Sequence, residues 1–279
     1  MKNMVLRQLA ELVNRFYGLN YIDNISALES KLAKRVKELG LSFWEYHGYL
    51  LQQPDEWDVV IELLTINETY FYREESQLLE FQNTVLPMIK ENLNGRPIRI
   101  WSAACSSGEE PYTLAMLILE TGLFLPDEVQ IVGTDIDKQI LEKAKTGWYG
   151  KQSLSFRRIP QFLLERYFVE NDGGFMVNDV VKSMVEFQHL NLIDEEGTKK
   201  LGLFDVVFCR NVLIYFDTKT IQKVISSIYR RLYMGGYLFL GHAETITGMG
   251  LGFETVHSPA TFYYQKEASP GVEVRGFSG

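Results

Sequence analysis

The sequence predicts an α/β fold: a mostly parallel sheet covered by helices, carrying a small antiparallel insertion and preceded by a small all-α domain. Three observations predict it. From Arg96 onward, short continuous apolar runs alternate with helical segments, the pattern of strands buried on both faces. The first ~70 residues show only the three- and four-residue apolar spacing of helices. Between Gly150 and His189 the alternation lapses, and a Gly173-Gly174 turn separates two β-type runs, as in an antiparallel hairpin. The chain therefore divides into a helical domain at 1–72 and an α/β domain at 73–279, with a β-subdomain inserted at about 150–189.

The elements follow in order. "LRQLAELVNRFYGL" and "SALESKLAKRVKELGL" are amphipathic helices closing near Gly18 and Gly40, and glycine is a common helix stop. "SFWEYHGYLLQQP" and "EWDVVIELLTI" continue the helical pattern. A polar junction with aromatic anchors, "LLTINETYFYREE", precedes the first strand, "PIRIWSA". "VQIVGTDI", "FDVVFCRNVLIYF" and "GGYLFLGHAE" are further strands, with "EEPYTLAMLILETG", "KQILEKAKTG" and "KTIQKVISSIYRRLY" as intervening helices. "ATFYYQK" alternates enough to be an antiparallel strand, and "EASPGVEVRGFSG" reads as a tail.

Composition excludes several classes. With 279 residues, 46% hydrophobic and 23% charged, the chain suits a soluble globular protein of one large or two modest domains. A net charge of −8 and a pI near 5.2 oppose a general nucleic-acid binder. Cys105 and Cys209 make no disulfide framework, and His47, His189, His242 and His257 are too scattered for a metal site. Arg7, Glu11 and Arg15 interrupt the apolar pattern of the N-terminus, which is not that of a signal peptide. No apolar run approaches the ~20 residues of a membrane span. The expectation is a cytoplasmic protein in a reducing compartment, without metal or direct membrane insertion.

Ligands of an open parallel sheet bind at the carboxyl ends of its strands, and four such places carry unusual residues. The first is "WSAACSSGEEPYTLAM", a turn with almost no side-chain bulk. It lacks both G-x-G-x-x-G and G-K-[ST], which weakens dinucleotide and NTPase readings. Glu109 and Glu110 suit a helix start with Pro111; alternatively, one of them accepts from a ligand ammonium. A phosphate would be repelled there. The second is Asp135 in "VGTDID", roughly 27 residues beyond Gly108 and near where dinucleotide-type folds set an acid against ribose. Its other reading is a helix N-cap, a role Asp137 fills equally well. Arg210 and Asn211 directly follow a buried strand, where unpaired polar groups are costly, and Tyr215 lies just beyond. Asn191 and Leu192 in "HLNLID" lie just beyond the preceding strand and offer a polar and an apolar neighbour for an adenine. Asn67, Thr69 and Arg73 gather at the domain junction, a common place for a site.

Together "TINETYFYRE", "WSAACSSGEEPYTLAM", "GTDID", "HLNL" and "FDVVFCRNVLIYFD" resemble the chemotaxis receptor methyltransferase family, CheR, in order and spacing from about Leu12 to Lys266. Ala104 where many relatives have Gly, Ser107 for Thr, and "GHAE" for "GHSE" are the departures. The resemblance implies a class I methyltransferase with a Rossmann-like sheet, using S-adenosylmethionine (SAM) and releasing S-adenosylhomocysteine. It implies that Asn67, Thr69 and Arg73 reach the cofactor, that Glu109 or Glu110 holds its amino group and that Asp135 binds ribose. Asn191 and Leu192 would line the adenine side, Arg210 and Asn211 the methionine side. Arg73 and Tyr215 would stand nearest the transferred methyl.

The acceptors so implied are glutamate side chains on the cytoplasmic methylation helices of transmembrane chemoreceptors. An ionised glutamate needs no general base, so positioning and water exclusion carry the chemistry. Lys31, Lys34, Arg35 and Lys37 on the second helix read either as a solvated face or, by resemblance, as the contact for those acidic receptor helices. The protein is expected to act as a monomer. A methyltransferase of the same fold with another acceptor, and a SAM-binding module without turnover, are the competing readings.

Overall fold

A computed structural model describes residues 2–267; the tail from 268 onward lies outside the described residues. The helical domain comprises α1 (Lys2–Tyr17), α2 (Ile25–Glu38), α3 (Phe43–Gln52) and α4 (Glu56–Leu64). Local chemistry sets their starts. Asn24 caps α2 by accepting from the Ala27 N–H, and Ser42 with Glu45 forms a reciprocal capping box on α3, each satisfying an orphan backbone donor. Leu6, Leu9, Leu28, Leu32, Tyr46 and Val60 form a core separate from those of the sheet.

The α/β domain opens with α5 (Glu75–Glu80) and α6 (Leu86–Asn92), joined by a π-helical turn at Phe81–Val85. Then follow β1 (Ile98–Ala103), α7 (Glu109–Thr121), β2 (Val129–Asp135), α8 (Lys138–Thr146), β3 (Trp148–Gly150), α9 (Gln161–Tyr167), β4 (Phe168–Asn171), β5 (Gly174–Val177) and α10 (Asp179–Ser183). The chain continues through β6 (Val185–His189), α11 (Glu195–Lys200), β7 (Phe204–Cys209), α12 (Thr218–Arg231), β8 (Leu232–Leu240), β9 (Phe253–His257) and β10 (Phe262–Lys266).

Seven strands form the main sheet in the order β6-β2-β1-β7-β8-β10-β9. The first five pair in parallel, and β10 runs antiparallel between β8 and β9. Successive residues of β7 face opposite layers, as the strand period of two requires: Val206 and Phe208 join the core under α7, Val207 and Cys209 the core under α12. Strand order reverses between β1 and β7, so the switch point opens beneath the turn after β1.

Three features depart from the sequence expectation. Val185–His189 is not part of the insertion but the parallel edge strand of the main sheet, paired with β2. It is half exposed, so it lacks the continuous apolar run that marked the inner strands. The three-stranded antiparallel sheet instead recruits Trp148–Gly150, ahead of the expected boundary. Phe253–His257 adds a seventh strand beyond the expected antiparallel one. Among the described residues, no helix is long and apolar enough to cross a membrane.

The two domains are tied at the switch point. Leu19 bridges Phe216, and the Asn20 N–H donates to the Tyr215 carbonyl at 2.8 Å. Asn191 Nδ2 donates to the Phe16 carbonyl at 2.8 Å, and Lys138 pairs with Asp58 at 2.8 Å. Ile136, Tyr215 and Phe216 pack on the helical core.

Candidate functional site

The switch point opens into a cleft between the strand ends and the helical domain, where open parallel sheets bind their ligands. Asn67, Thr69, Arg73, Glu110, Asp135, Asn191, Leu192, Arg210, Asn211 and Tyr215 all line it. The helical domain adds Tyr17, Leu19 and Leu64, which the motifs did not single out.

The turn after β1 is built from left-handed backbone: Ala104 at φ +62°, Ser106 at +50° and Gly108 at +93°. It brings the Ser106 N–H to Asp135 Oδ2 at 2.8 Å, while the Asp137 N–H donates to Asp135 Oδ1 at 3.0 Å. Asp135 is thereby fixed at the end of β2. The N-cap of α8 is Asp137, which accepts from the Gln139 and Ile140 N–H groups and from Asn67 Nδ2 at 2.8 Å. Asp137 thus takes the N-cap role, and Asp135 is left facing the cleft. Burial pushes the Asp135 carboxyl above its ordinary range, against the backbone N–H groups that favour its charge.

Glu109 and Glu110 separate in the same way. Glu110 faces the cleft, accepts from Ser102 Oγ at 2.6 Å and stands 3.4 Å from Arg210. Glu109 points the other way, is 1% exposed, and accepts from Ser107 Oγ at 2.7 Å and Ser155 Oγ at 2.8 Å. The expectation that either could hold a ligand is corrected for Glu109: its carboxylate joins α7 to the insertion. Burial raises both carboxyls, and for Glu110 the Arg210 charge opposes this most.

Arg210 is buried and donates to the Arg73 carbonyl at 2.5 Å. It also lies between Glu110 and Glu74, 3.5 Å from the latter. Its Nε is buried without a partner among the described residues. Asn211 adopts φ +59° and donates through Nδ2 to Glu74 at 3.2 Å. Two carboxylates that the motifs left out organise this corner. Glu74 holds Arg210, Asn211 and His242. Glu244 accepts from the backbone N–H groups of Asn211, Leu213 and Gly241 at 2.8, 2.7 and 2.7 Å. Gly241 is required there, since a Cβ would sit 2.6 Å from Asn211 Nδ2. The available signals were Glu74 directly after Arg73 and Glu244 in "GHAE".

Asn191 lines the cleft, but its amide is engaged by the Phe16 carbonyl and, at 3.2 Å, by the Ile193 N–H. Its side chain fastens the domains, and one N–H and one lone pair of the amide are left for a ligand. Arg73 Nη1 donates to the Glu68 carbonyl at 2.9 Å. Cys105 and Cys209 are buried free thiols, both raised well above their ordinary range chiefly by burial.

On α2 only part of the expected basic face is available. Lys31 donates to the Leu63 and Leu64 carbonyls at the end of α4. Arg35 forks onto Glu56 at 2.8 and 2.6 Å, with Tyr46 completing the network. Lys34 and Lys37 remain exposed. Lys31 and Arg35 are corrected from surface contacts to fasteners of the helical domain. Among the described residues, no three His, Cys, Asp or Glu side chains are grouped to hold a metal.

The chain has close relatives of known class. The family model described as "CheR methyltransferase, SAM binding domain" matches residues 67–262. The chain is 40% identical over 229 residues to Chemotaxis protein methyltransferase 2 of Vibrio cholerae serotype O1, covering 80% of this chain and 79% of that protein. It is 36% identical over 255 residues to the chemotaxis protein methyltransferase of Borreliella burgdorferi, covering 87% and 88%. It is 35% identical over 274 residues to Chemotaxis protein methyltransferase Cher2 of Pseudomonas putida, covering 95% and 98%.

Proposed function

The chain belongs to the CheR methyltransferase family, and from that membership we propose that it methylates glutamate carboxylates on the cytoplasmic methylation helices of chemoreceptors. SAM-dependent methyl transfer in chemotaxis is the activity of its relatives' class. The observation that carries the reading is one cleft at the switch point that sets the Glu110 carboxylate beside the Arg210 guanidinium, with Asp135 at the adjoining strand end.

The residues present fit the cofactor. A carboxylate beside a guanidinium suits the zwitterionic end of an amino acid, and the buried Arg210 Nε lacks an acceptor among the described residues. Glu110 would take the ammonium, Arg210 the carboxylate and Asp135 the ribose hydroxyls, with Leu192 and Leu64 as apolar walls. Bound there, SAM supplies an electrophilic methyl on a sulfonium.

What the chain adds is positioning. An acceptor glutamate, with an unperturbed pKa of about 4.3, is ionised at neutral pH and needs no proton removed. Arg73, on the junction segment at the cleft, can fork onto its two oxygens. Tyr215, half-buried with its backbone tied to Asn20, walls the site against water, which would otherwise solvate the carboxylate. Lys34 and Lys37 would meet the acidic receptor helix.

Transfer of label from radiolabelled SAM to membranes carrying chemoreceptors, followed by mild alkali, tests this reading. Alkali-labile label on receptor protein, lost in Arg73→Ala, is the expected outcome. Calorimetric SAM binding without labelled receptor would move the acceptor elsewhere.

A further inference from the structure

At the rim of the cleft, a residue of the insertion reaches the domain junction. Arg157, just after the short 3-10 turn Leu154–Phe156, extends Nη2 to Glu68 Oε1 at 2.7 Å. Its guanidinium carbon lies 3.9 Å from the centre of the Tyr70 ring, and that of Arg73 lies 5.6 Å from the same centre. Glu68 holds both arginines, Arg157 by its carboxylate and Arg73 by its carbonyl. Glu68 and Arg73 line the cleft, and Arg158, next in the chain after Arg157, is exposed.

The Phe71 N–H donates to the Ser155 carbonyl at 2.8 Å, and the Phe71 ring packs on Tyr149, Phe156 and Phe168. The two arginines are therefore mounted on one rigid aromatic cluster rather than on independent loops.

We propose that Arg157 and Arg73, set against Tyr70, form a two-position carboxylate seat for the acceptor helix. Arg73 orients the reacting glutamate, and Arg157 takes a second acidic side chain one or two turns away. Both guanidiniums face one ring, so they stand no farther apart than two turns of a helix, about 11 Å. Glu68 fills the Arg157 position until the acceptor arrives. An exposed pair of this kind is only weakly held, and the Glu68 side chain is 65% exposed, so it exchanges readily. On a chain of net charge −8, a local cationic seat is what an acidic partner requires. The proposal rests on the reading that the acceptor is a glutamate-bearing helix.

The test is the KM for chemoreceptor membranes, measured beside SAM affinity by calorimetry, for wild type, Arg157→Glu, Arg157→Lys and Glu68→Gln. Arg157→Glu should raise the receptor KM about tenfold, roughly 1.4 kcal/mol, with kcat and SAM affinity within about twofold of wild type. Arg157→Lys should fall between the two, because it keeps the charge and loses the fork. Glu68→Gln should lower the KM. An unchanged KM in Arg157→Glu, or a rise matched by equal loss of SAM affinity, would overturn the seat while leaving receptor methylation intact. No label on receptors from the wild-type protein would overturn the underlying reading and the seat with it, a result visible before any variant is made.

Discussion

Ala104 adopts φ +62° beside the cleft, a conformation that glycine takes without strain. Ala104→Gly should therefore raise stability by up to about 1 kcal/mol, read as a higher urea midpoint at constant slope; an unchanged or lower midpoint would show that the turn carries no strain there. Glu110 leads to a second expectation. Burial raises its carboxyl in the free protein, and a bound ammonium favours its ionised form. The group thus holds its proton more tightly before binding than after. SAM binding should release protons at pH values between the carboxyl's bound and free titration points, and affinity should fall as pH drops through that interval. Calorimetry in buffers of different ionisation enthalpy measures the release; identical apparent enthalpies would remove Glu110 from the ammonium site. Which of the two glutamates faces the cleft was not legible from "GEEP", because apolar periodicity does not say how a helix is rotated against the sheet at its first turn. Asp135 and Arg210 were legible, since each directly ends an apolar strand.

At the scale of elements, the loop from Arg210 to Phe216 owes its shape to Glu244, whose carboxylate collects three backbone N–H groups. Glu244→Gln puts a donor among donors and should cost about 1–3 kcal/mol. It should also weaken SAM binding, since Arg210 and Asn211 ride on the same loop; a destabilised protein with unaltered SAM affinity would separate the two. On α2, Arg35→Ala leaves the buried Glu56 carboxylate with only Tyr46. That should cost about 2 kcal/mol, less than for a fully buried pair because Arg35 is partly exposed. Arg35 is thus unsuited to testing receptor contact. Charge reversal at Lys34 and Lys37 should lower receptor methylation in a salt-sensitive way while leaving the melting temperature unchanged. Elements with strong periodicity, such as α1, α2 and the inner strands, were legible. The edge strand Val185–His189 was not, because an edge strand with one open face loses the apolar continuity of its inner neighbours. The Arg35–Glu56 pairing joins two helices, and nothing local announces it.

For the whole molecule, the family model begins at residue 67, yet Tyr17, Leu19 and Leu64 wall the cleft, and Ile136, Tyr215 and Phe216 pack on the helical core. A fragment spanning 67–267 should therefore bind SAM at least tenfold more weakly than the full chain, about 1.4 kcal/mol. Equal affinity would reduce the helical domain to a receptor-facing attachment. The succession of a helical region and an α/β sheet was legible from the change of periodicity near Arg96. Their shared cleft was hinted at only by the polar junction, because contacts such as Asn191 to Phe16 join positions far apart in the chain. The opposite aims of Glu109 and Glu110 bear on how such a protein can vary through descent. Successive residues of a helix are set about 100° apart, so one residue gained or lost between Ala103 and Glu109 would turn α7 by that angle. It would carry the wrong carboxylate to each side at once, towards the cleft and towards Ser155. The turn can therefore tolerate exchanges of letter, as Ala104 and Ser107 illustrate, but not a change of length. Lineages of this enzyme should be gapless across those five positions even where their residues differ.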